Sequence, residues 1–394
     1  MVQNPGAEQL RNFLMKMAGK TYTDKGKDTE TEEPRIRYAG EDVEEVFRIM
    51  EDSPLWPALQ EAGIGRFPFT RRQLLLLRGA NPLPQRYHYI EQGKRFAFFT
   101  VYDNRMDLLT FGKAHWYMDL QTIAYPCSFS GGGYVTNDVE WMLGCIKRLR
   151  GCKLVLNIPE YRKVRGMAVG ETLPTCRLYL RPEHTSLEAY LRSLRSPYRR
   201  RMRLALRRCG GVRMERQQAG QEDLHPLYLQ TFARSAYPLE RLERSFFEEA
   251  EGERLVFFWQ DMTVGFVLLE QMEEELVFLL CGMEYAPKGS GDDAFREEIV
   301  AGESTCAAKM PFRNADLYYF MLLQIVDYAI CHHCKSIDFG QTSEKTKLKF
   351  GAVPEKRYFY AHHSNPFLNL TAILGRHILE YRYAFPEYHV YKKE

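Results

Sequence analysis

The sequence predicts an α+β protein, because one order of secondary-structure elements recurs in its two halves. Each half has alternating apolar segments typical of an antiparallel meander, then an amphipathic helix, then a short buried strand. In the first half we expect strands at 87–91, 95–102, 105–111 and 117–124, a helix at 138–149 and a strand at 153–158. In the second half we expect strands at 255–260, 262–272 and 275–285, a helix at 316–332 and a strand at 335–339. This pattern favours two tandem domains, each a mixed, mostly antiparallel sheet flanked by helices.

The expected domain organisation has four segments. Residues 1–34 combine a short amphipathic helix with a polar, charged stretch that is typical of a mobile linker. Residues 35–180 form the first domain, and residues 181–365 form the second, which opens with an arginine-rich pair of helices. Residues 366–394 form a C-terminal helix and a basic tail.

Composition narrows the class of protein. Of the 394 residues, 45% are apolar and 27% are charged, which indicates a globular chain with ample core. The net charge of only +3 argues against a protein that binds nucleic acid over its whole surface. Nine scattered cysteines suggest a reducing compartment, and no apolar stretch reaches the length of a membrane span or forms a signal peptide. We therefore expect a cytoplasmic protein.

The stretch LEAYLRSLRSPYRRRMRLALRRCGG (187–211) carries the largest local charge. Ten arginines lie between Arg192 and Arg216, with Glu215 as the single acid among them. Leu191, Leu194, Tyr198, Met202 and Ala205 share one helical face, and the proline at 197 predicts a break between helices at about 186–195 and 197–209. We expect Thr185 and Glu188 to form the N-terminal cap of the first helix.

Two interpretations of this arginine cluster remain open at the sequence level. Such a cluster is commonly a solvated helix face. Alternatively, mutually repelling guanidinium groups bind a polyanion, since their planar forks match phosphate or carboxylate. We therefore name Arg199, Arg200 and Arg203 as candidate ligands for a phosphate-bearing donor or acceptor. Coenzyme A, a nucleotide-linked sugar, a lipid phosphate and an RNA backbone all qualify.

Several motifs in the second half carry a family resemblance. They are YRRRMRLALRR (198–208), CGMEY (281–285), LYYFMLLQIVDYAICHHCKSIDFGQT (317–342) and K-x-x-x-G (347–351) followed by AVPEKRYFY. Together they cover roughly residues 170–365. In these motifs the chain resembles the GNAT-fold acyltransferase domain of Fem-type and CelD-like proteins, which often carry two GNAT-like domains in one chain. The Q/R-x-x-G-x-G/A loop of ordinary GNAT enzymes is missing, and SFSGGG (128–133) and PKGSG (287–291) only approximate it.

The resemblance implies an acyltransferase that acts on an amine or hydroxyl, possible acceptors being precursors of the bacterial envelope or of polysaccharides. The implied donor is acetyl-CoA or another acyl-CoA. Two alternatives stay open: a Fem-type aminoacyltransferase that uses aminoacyl-tRNA and so has an RNA partner, and a non-catalytic GNAT-like binding protein.

Direct acyl transfer requires a base, a donor to the carbonyl and a positioned substrate, but no protein nucleophile. Glu284, at the end of a predicted strand, is the candidate base. Tyr318 and Tyr319 open the next helix, so that one must face the core; we name Tyr319 as the candidate proton donor. Asp338 is an acid among apolar residues and is either structural or a site carboxylate. Lys347 is a candidate ligand for phosphate or carboxylate.

The sequence CHHC at 331–334 invites a zinc interpretation. Four consecutive residues cannot all face one ion, and no second Cys-x-x-Cys or His-x-x-x-His pair lies nearby. Its position at a helix end before a buried strand favours a structural role. We therefore expect no metal.

Overall fold

A computed structural model describes residues 33–107, 117–127, 129–235, 241–285, 312–382 and 384–392. All of them except Glu33 belong to one unit, Pro34–Glu394. The amphipathic helix and most of the linker expected at 1–34, together with the PKGSG turn (287–291), lie outside these residues.

Thirteen strands lie in the described part of the chain. They are β1 (Arg35–Gly40), β2 (Gln85–Gln92), β3 (Arg95–Asp107), β4 (Tyr117–Ile123), β5 (Tyr134–Thr136), β6 (Cys152–Ile158), β7 (Ala168–Tyr179), β8 (Val212–Gln217), β9 (Glu253–Trp259), β10 (Met262–Met272), β11 (Glu275–Met283), β12 (Ser336–Asp338) and β13 (Val353–His363).

Eleven helices flank these strands within the same ranges. They are α1 (Val43–Glu51), α2 (Trp56–Glu61), α3 (Arg71–Ala80), α4 (Val139–Ile146), α5 (Leu187–Ser193), α6 (Ser196–Arg208), α7 (His225–Arg234), α8 (Arg244–Glu249), α9 (Asn314–Cys331), α10 (Glu344–Leu348) and α11 (Pro366–Leu379). The predicted α+β class, a mixed and mostly antiparallel sheet with flanking helices, is confirmed. Of the described helices, none is both long enough and apolar enough to span a membrane.

The strands of both halves join in one sheet with a symmetric order. That order is β1-β2-β3-β4-β6-β13-β7-β12-β11-β10-β9-β8, and β5 pairs with β3. Counted from either edge, a four-stranded antiparallel run leads to a parallel pair, β4 with β6 in one half and β11 with β12 in the other. At the centre, β13 pairs with β6 of the first half, and β7 pairs with β12 of the second. Each half thus contributes its central strand to the sheet of the other half. The residue boundaries expected for two domains stay a prediction.

The arginine-rich stretch folds as the apolar spacing predicts. Leu191, Leu194, Met202 and Ala205 are buried in a core shared with α9 and with strands β9 to β12. The helical conformation is interrupted between α5 and α6. Pro197 lies in the first turn of α6, where its missing N–H removes no hydrogen bond from the helix. The cap of α5 differs from the expectation: its side-chain acceptor is Ser186, which binds the Ala189 N–H.

Two strands differ from the expectation. The strands expected separately at 95–102 and 105–111 are joined, because Asp103 and Asn104, between them, lie inside the long strand β3 opposite Gln121 and Leu120 of β4. The central strand β7 was not anticipated. Its Pro174 lies between Thr172 and Thr175, where the register with β13 shifts, so that the missing N–H falls at an interruption of the ladder.

Candidate active site

The strands β11 and β12 separate after a short stretch of pairing. Three parallel partners join them, from Glu275 with Ser336 to Val277 with Asp338. Beyond this point β12 ends, whereas β11 continues to Met283. A cavity of about 640 Å³ opens where the strands part. This opening places one edge of β11 against the cavity instead of against another strand.

The cavity wall comes from four elements besides β11. They are α7, the start of α9, the loop that leads from β12 into α10 together with α10 itself, and a loop of the first half that contributes Phe129 and Ser130. Polar groups on this wall include Thr231, Arg234, Tyr318, Gln341, Ser343, Glu344 and Lys347. Polar groups concentrated in a largely apolar cleft are typical of a small-molecule site.

The equivalent opening in the first half is filled by the chain itself. There β4 and β6 pair only from Gln121 to Ile123, and residues 129–133 contact the segments that follow this pairing, at Ala124 and at Asn157. A Cβ atom on Gly133 would lie 2.0 Å from the carbonyl carbon of Ala124, so that only glycine fits there. The Asn157 amide donates to the Phe129 carbonyl at 3.3 Å. The glycines of SFSGGG therefore belong to a packed loop of the first half, and the described cavity is lined mainly by residues of the second half.

Asp338 is a buried carboxylate that binds two residues of the cavity wall, Ser130 and Gly340. One of its oxygens accepts a hydrogen bond from the Ser130 hydroxyl, and the other accepts from the Thr175 hydroxyl and the Gly340 N–H. The Arg177 guanidinium is 3.7 Å away. These partners come from a first-half loop, the strand β7 and the cavity loop. Since Asp338 itself does not line the cavity, of the two roles left open for it the geometry favours the structural one.

Glu284 lies beside the cavity and not in it. Its neighbours Met283 and Tyr285 line the wall, but the Glu284 carboxylate accepts from the Gln230 amide at 2.8 Å. The same Gln230 side chain accepts from the Tyr285 N–H at 3.1 Å. Glu284 therefore fixes the end of β11 against α7. The role of base that we expected of Glu284 has no geometric support.

The tyrosine pair at the start of α9 divides as expected, with one member in the core, but that member is Tyr319. Its ring packs against Phe350 at 5.3 Å between centroids, and the Arg201 guanidinium covers it at 4.0 Å. Tyr318 lines the cavity instead. Burial raises the pKa of Tyr318 well above 10, although a hydrogen bond with Ser343 acts in the opposite direction. Tyr318 is therefore a neutral hydroxyl donor at the cavity wall, the position we had expected for Tyr319.

Lys347 is the one member of our four candidate anion ligands that reaches the described cavity. It is buried, and its ammonium group donates to the carbonyls of Gly340 and Gln341, at 3.3 Å each. Those carbonyls take two of its three donors. Burial lowers the pKa of Lys347 below its ordinary value of 10.5. Lys347 therefore fixes the loop after β12 and also lines the cavity.

The arginines of α6 do not line this cavity. Arg199 donates to the Leu194 carbonyl at 3.1 Å, and Arg203 binds Glu188 at 2.5 Å, while Arg200 is exposed. The acids that pair with the arginine cluster lie just before it or far along the chain. A count of acids within the cluster therefore did not include them. The expectation that Arg199, Arg200 and Arg203 clasp a ligand at the cavity is therefore not supported by their positions.

Two arginines of α6 instead surround a buried carboxylate. Asp316, only 2% exposed, forms ion pairs with Arg201 at 2.8 Å and with Arg208 at 3.0 Å. Asp316 also accepts from the Arg313 N–H at the start of α9. This cluster holds the start of α9, which carries Tyr318. The helix α6 thereby helps to position one residue of the cavity wall.

Two functional groups of the cavity escaped the sequence analysis. Glu344 is the sole carboxylate among the described lining residues, and it accepts from the Tyr381 hydroxyl at 3.1 Å. Arg234 also lines the cavity, with its guanidinium 4.4 Å from the centre of the Tyr285 ring. In sequence, Glu344 only begins a short polar helix that follows a buried strand, and Arg234 only ends a helix.

The cavity also contains the thiol of Cys281. Burial raises the pKa of Cys281 to about 12, so that the thiol stays protonated at neutral pH. A protonated thiol is a weak nucleophile. Cys331 and Cys334 lie away from the cavity at the end of α9, one exposed and one buried. Among the described residues no cluster of His, Cys, Asp and Glu could hold a metal ion.

Comparison with known proteins finds likeness only among solved structures. Neither a protein-family model nor a curated protein matches the chain. The C-terminal DUF2156 domain of a candidate lysylphosphatidylglycerol synthetase from Agrobacterium fabrum is 10% identical, with a TM-score of 0.38 over 72% of this chain and 85% of that one. FemX is 13% identical, with a TM-score of 0.37 over 73% and 90%. A conserved protein from Enterococcus faecalis V583, a probable N-acyltransferase, is 10% identical, with a TM-score of 0.37 over 86% and 75%.

Proposed function

We propose that this protein is an acyltransferase that passes an acyl or aminoacyl group directly from an activated donor to an amine or hydroxyl. The observation that carries the proposal is the separation of β11 from β12 after Val277 and Asp338, which leaves an edge of β11 along a cavity of about 640 Å³. An extended chain of amides, such as the pantetheine arm of an acyl-CoA or a peptide, binds such an edge as an added strand.

The groups around the cavity suit direct transfer. The acceptor nitrogen or oxygen attacks the acyl carbon, its proton passes to the Glu344 carboxylate, and the bond from the acyl carbon to the leaving sulfur or oxygen breaks. Tyr318, held neutral by burial, donates the proton that the leaving group takes up, and exchange through solvent then returns the proton held by Glu344 to Tyr318. Lys347 and Arg234 place positive charge where the donor's phosphates or the developing oxyanion require it. The protonated Cys281 supports a route without a covalent enzyme intermediate.

Acyl-CoA is the donor that we propose first, because a cavity of this size encloses a pantetheine arm and its acyl group. An aminoacyl-tRNA presents an activated acyl carbonyl as an oxygen ester instead of a thioester and remains the second donor. The sequence resemblance adds the class of acceptor, an amine- or hydroxyl-bearing precursor of the cell envelope or of a polysaccharide.

A binding and turnover panel tests the proposal. The full chain is mixed with acetyl-CoA, with longer acyl-CoAs and with aminoacyl-tRNA, and melting temperature and release of the acyl group are followed. Ala315→Trp narrows the cavity at an exposed position, and Ala62→Trp changes an equally exposed alanine at a distant helix end. We expect one donor class to stabilise the wild type and Ala62→Trp but not Ala315→Trp. If no donor binds, or if both tryptophan variants bind alike, the assigned cavity is not an acyl-donor site.

A further inference from the structure

The helix α11 carries a second apolar face that no described residue covers. Phe367, Leu370, Leu374 and Ile378 follow one another at spacings of 3, 4 and 4, which aligns them along one side of the helix. Their exposed fractions are 66%, 41%, 72% and 63%. We call this row the outer stripe. A contiguous exposed row of large apolar side chains is typical of an interaction site.

The outer stripe is distinct from the face that holds α11 on the protein. Ala372, Ile373 and Leu379 pack on the sheet, where they meet a small core that includes Leu154 and Phe359. A helix that only covers a sheet needs one apolar face and keeps the opposite one polar. The outer stripe is therefore apolar surface beyond what the fold of α11 requires.

The charges around the outer stripe are predominantly positive. Residues 366–379 contain no Asp or Glu. Arg376 and His377 lie in the last turn of the helix, where His377 is paired at 2.9 Å with Glu380, the residue that follows the helix. At the other end, the Asn369 amide donates to the Gly166 carbonyl at 2.9 Å, which fixes the loop before Gly166 beside α11. That loop exposes Arg162, Lys163 and Arg165, of which Arg162 is paired with Glu160.

We propose that α11 lies flat on an anionic phospholipid surface, with the outer stripe among the acyl chains and the flanking cations on the headgroups. An apolar stripe with a cationic border matches the interfacial zone of such a membrane. A second copy of the chain fits less well, because a two-fold interface would bring the same cationic border against itself. This inference does not depend on the proposed acyl transfer.

Vesicle flotation of the full chain tests the membrane surface. Wild-type protein should float with vesicles that contain phosphatidylglycerol and should bind those of phosphatidylcholine alone much more weakly. The double change Leu374→Glu with Ile378→Glu should reduce binding to background. Leu75→Glu, which charges a 38%-exposed leucine of α3, is the matched control and should bind like the wild type.

A charge variant provides an independent measurement that leaves the outer stripe intact. Lys163→Gln with Arg165→Gln should lower the partition coefficient on anionic vesicles about 25-fold, about fivefold for each charge removed, and should weaken its salt dependence. Sedimentation velocity distinguishes the alternative partner. A wild-type dimer that Leu374→Glu with Ile378→Glu dissociates, without vesicle binding by either, would assign the stripe to a second copy. Absence of flotation by the wild type also overturns the proposal.

Discussion

The Ser130 hydroxyl donates a hydrogen bond to the Asp338 carboxylate, although 208 positions separate the two residues in the sequence. Thr175 on the exchanged strand β7 and the Gly340 N–H bind the same carboxylate. One buried acid thus ties the first half, the centre of the sheet and the cavity loop together. Because Ser130 itself lines the cavity, the wall of the candidate site depends on this contact between halves.

Replacement of Asp338 by alanine should destabilise the protein. Two hydroxyls and one backbone N–H would lose a charged acceptor, and Arg177 would lose a partner. We expect the free energy of unfolding to fall by about 3 kcal/mol. Urea denaturation measures the loss. Asp119→Ala, at an exposed aspartate of β4, is the control and should change stability by less than about 0.5 kcal/mol. If the two variants are equally stable, Asp338 does not have the structural role that its contacts suggest.

The arginines of α6 should differ sharply in their contribution to stability. Arg201→Gln leaves the buried Asp316 with one partner fewer and uncovers the Tyr319 ring, so that we expect a loss of about 2–4 kcal/mol. Arg200→Gln removes an exposed charge from the same helix and should cost less than about 0.5 kcal/mol. Parallel urea titrations compare them. If Arg200→Gln costs as much as Arg201→Gln, the ion pairs with Asp316 do not decide the stability of this cluster.

Local signals explain what the sequence could predict. The period of Leu191, Leu194, Met202 and Ala205 fixed both the helical state of the arginine stretch and its buried side, since that information lies within a few turns. The partners of its arginines could not be predicted in the same way. Asp316 lies over a hundred residues further along the chain, so that only the fold brings it to Arg201 and Arg208.

Long-range pairing explains what the sequence analysis missed in the sheet and the cavity. The strand β7 contains Gly170 and Pro174, which weaken a local strand signal, and it is stabilised by β12 and β13, strands from the other half of the chain. Asp338 stood out as an acid among apolar residues, but its partners Ser130 and Thr175 are visible only in three dimensions. The choice between Tyr318 and Tyr319 depended on the rotation of α9, which adjacent residues do not reveal.

Removal of the Tyr318 hydroxyl should affect catalysis without affecting the fold. If Tyr318 protonates the leaving group, Tyr318→Phe should lower kcat by about 10²-fold or more while the melting temperature changes little. The matched change Tyr319→Phe, in the core, should leave kcat within about twofold. Rates are measured with the donor that the binding panel identifies. Equal loss of kcat in both variants would mean that Tyr318 has no specific role in proton transfer.

Glu270 on β10 should make stability depend on pH near neutrality. Burial, together with the charges of Glu251 and Glu253, raises the pKa of Glu270 from 4.5 to about 7. Between these two values the folded protein keeps a proton that the unfolded chain releases. The free energy of unfolding therefore decreases as pH rises through this window, and the full cost is present above about pH 7.

Glu270→Gln removes that ionisation while keeping the shape of the side chain. We expect the variant to be more stable than the wild type by about 1–3 kcal/mol at about pH 8, and to differ little at about pH 4, where Glu270 is protonated in both states. Urea denaturation across this range measures the difference. Glu249→Gln, at an exposed position, serves as the control, and its free energy of unfolding should follow that of the wild type at every pH. A constant offset between Glu270→Gln and the wild type would show that the glutamate does not titrate near neutrality, because only a shifted pKa makes the difference change with pH.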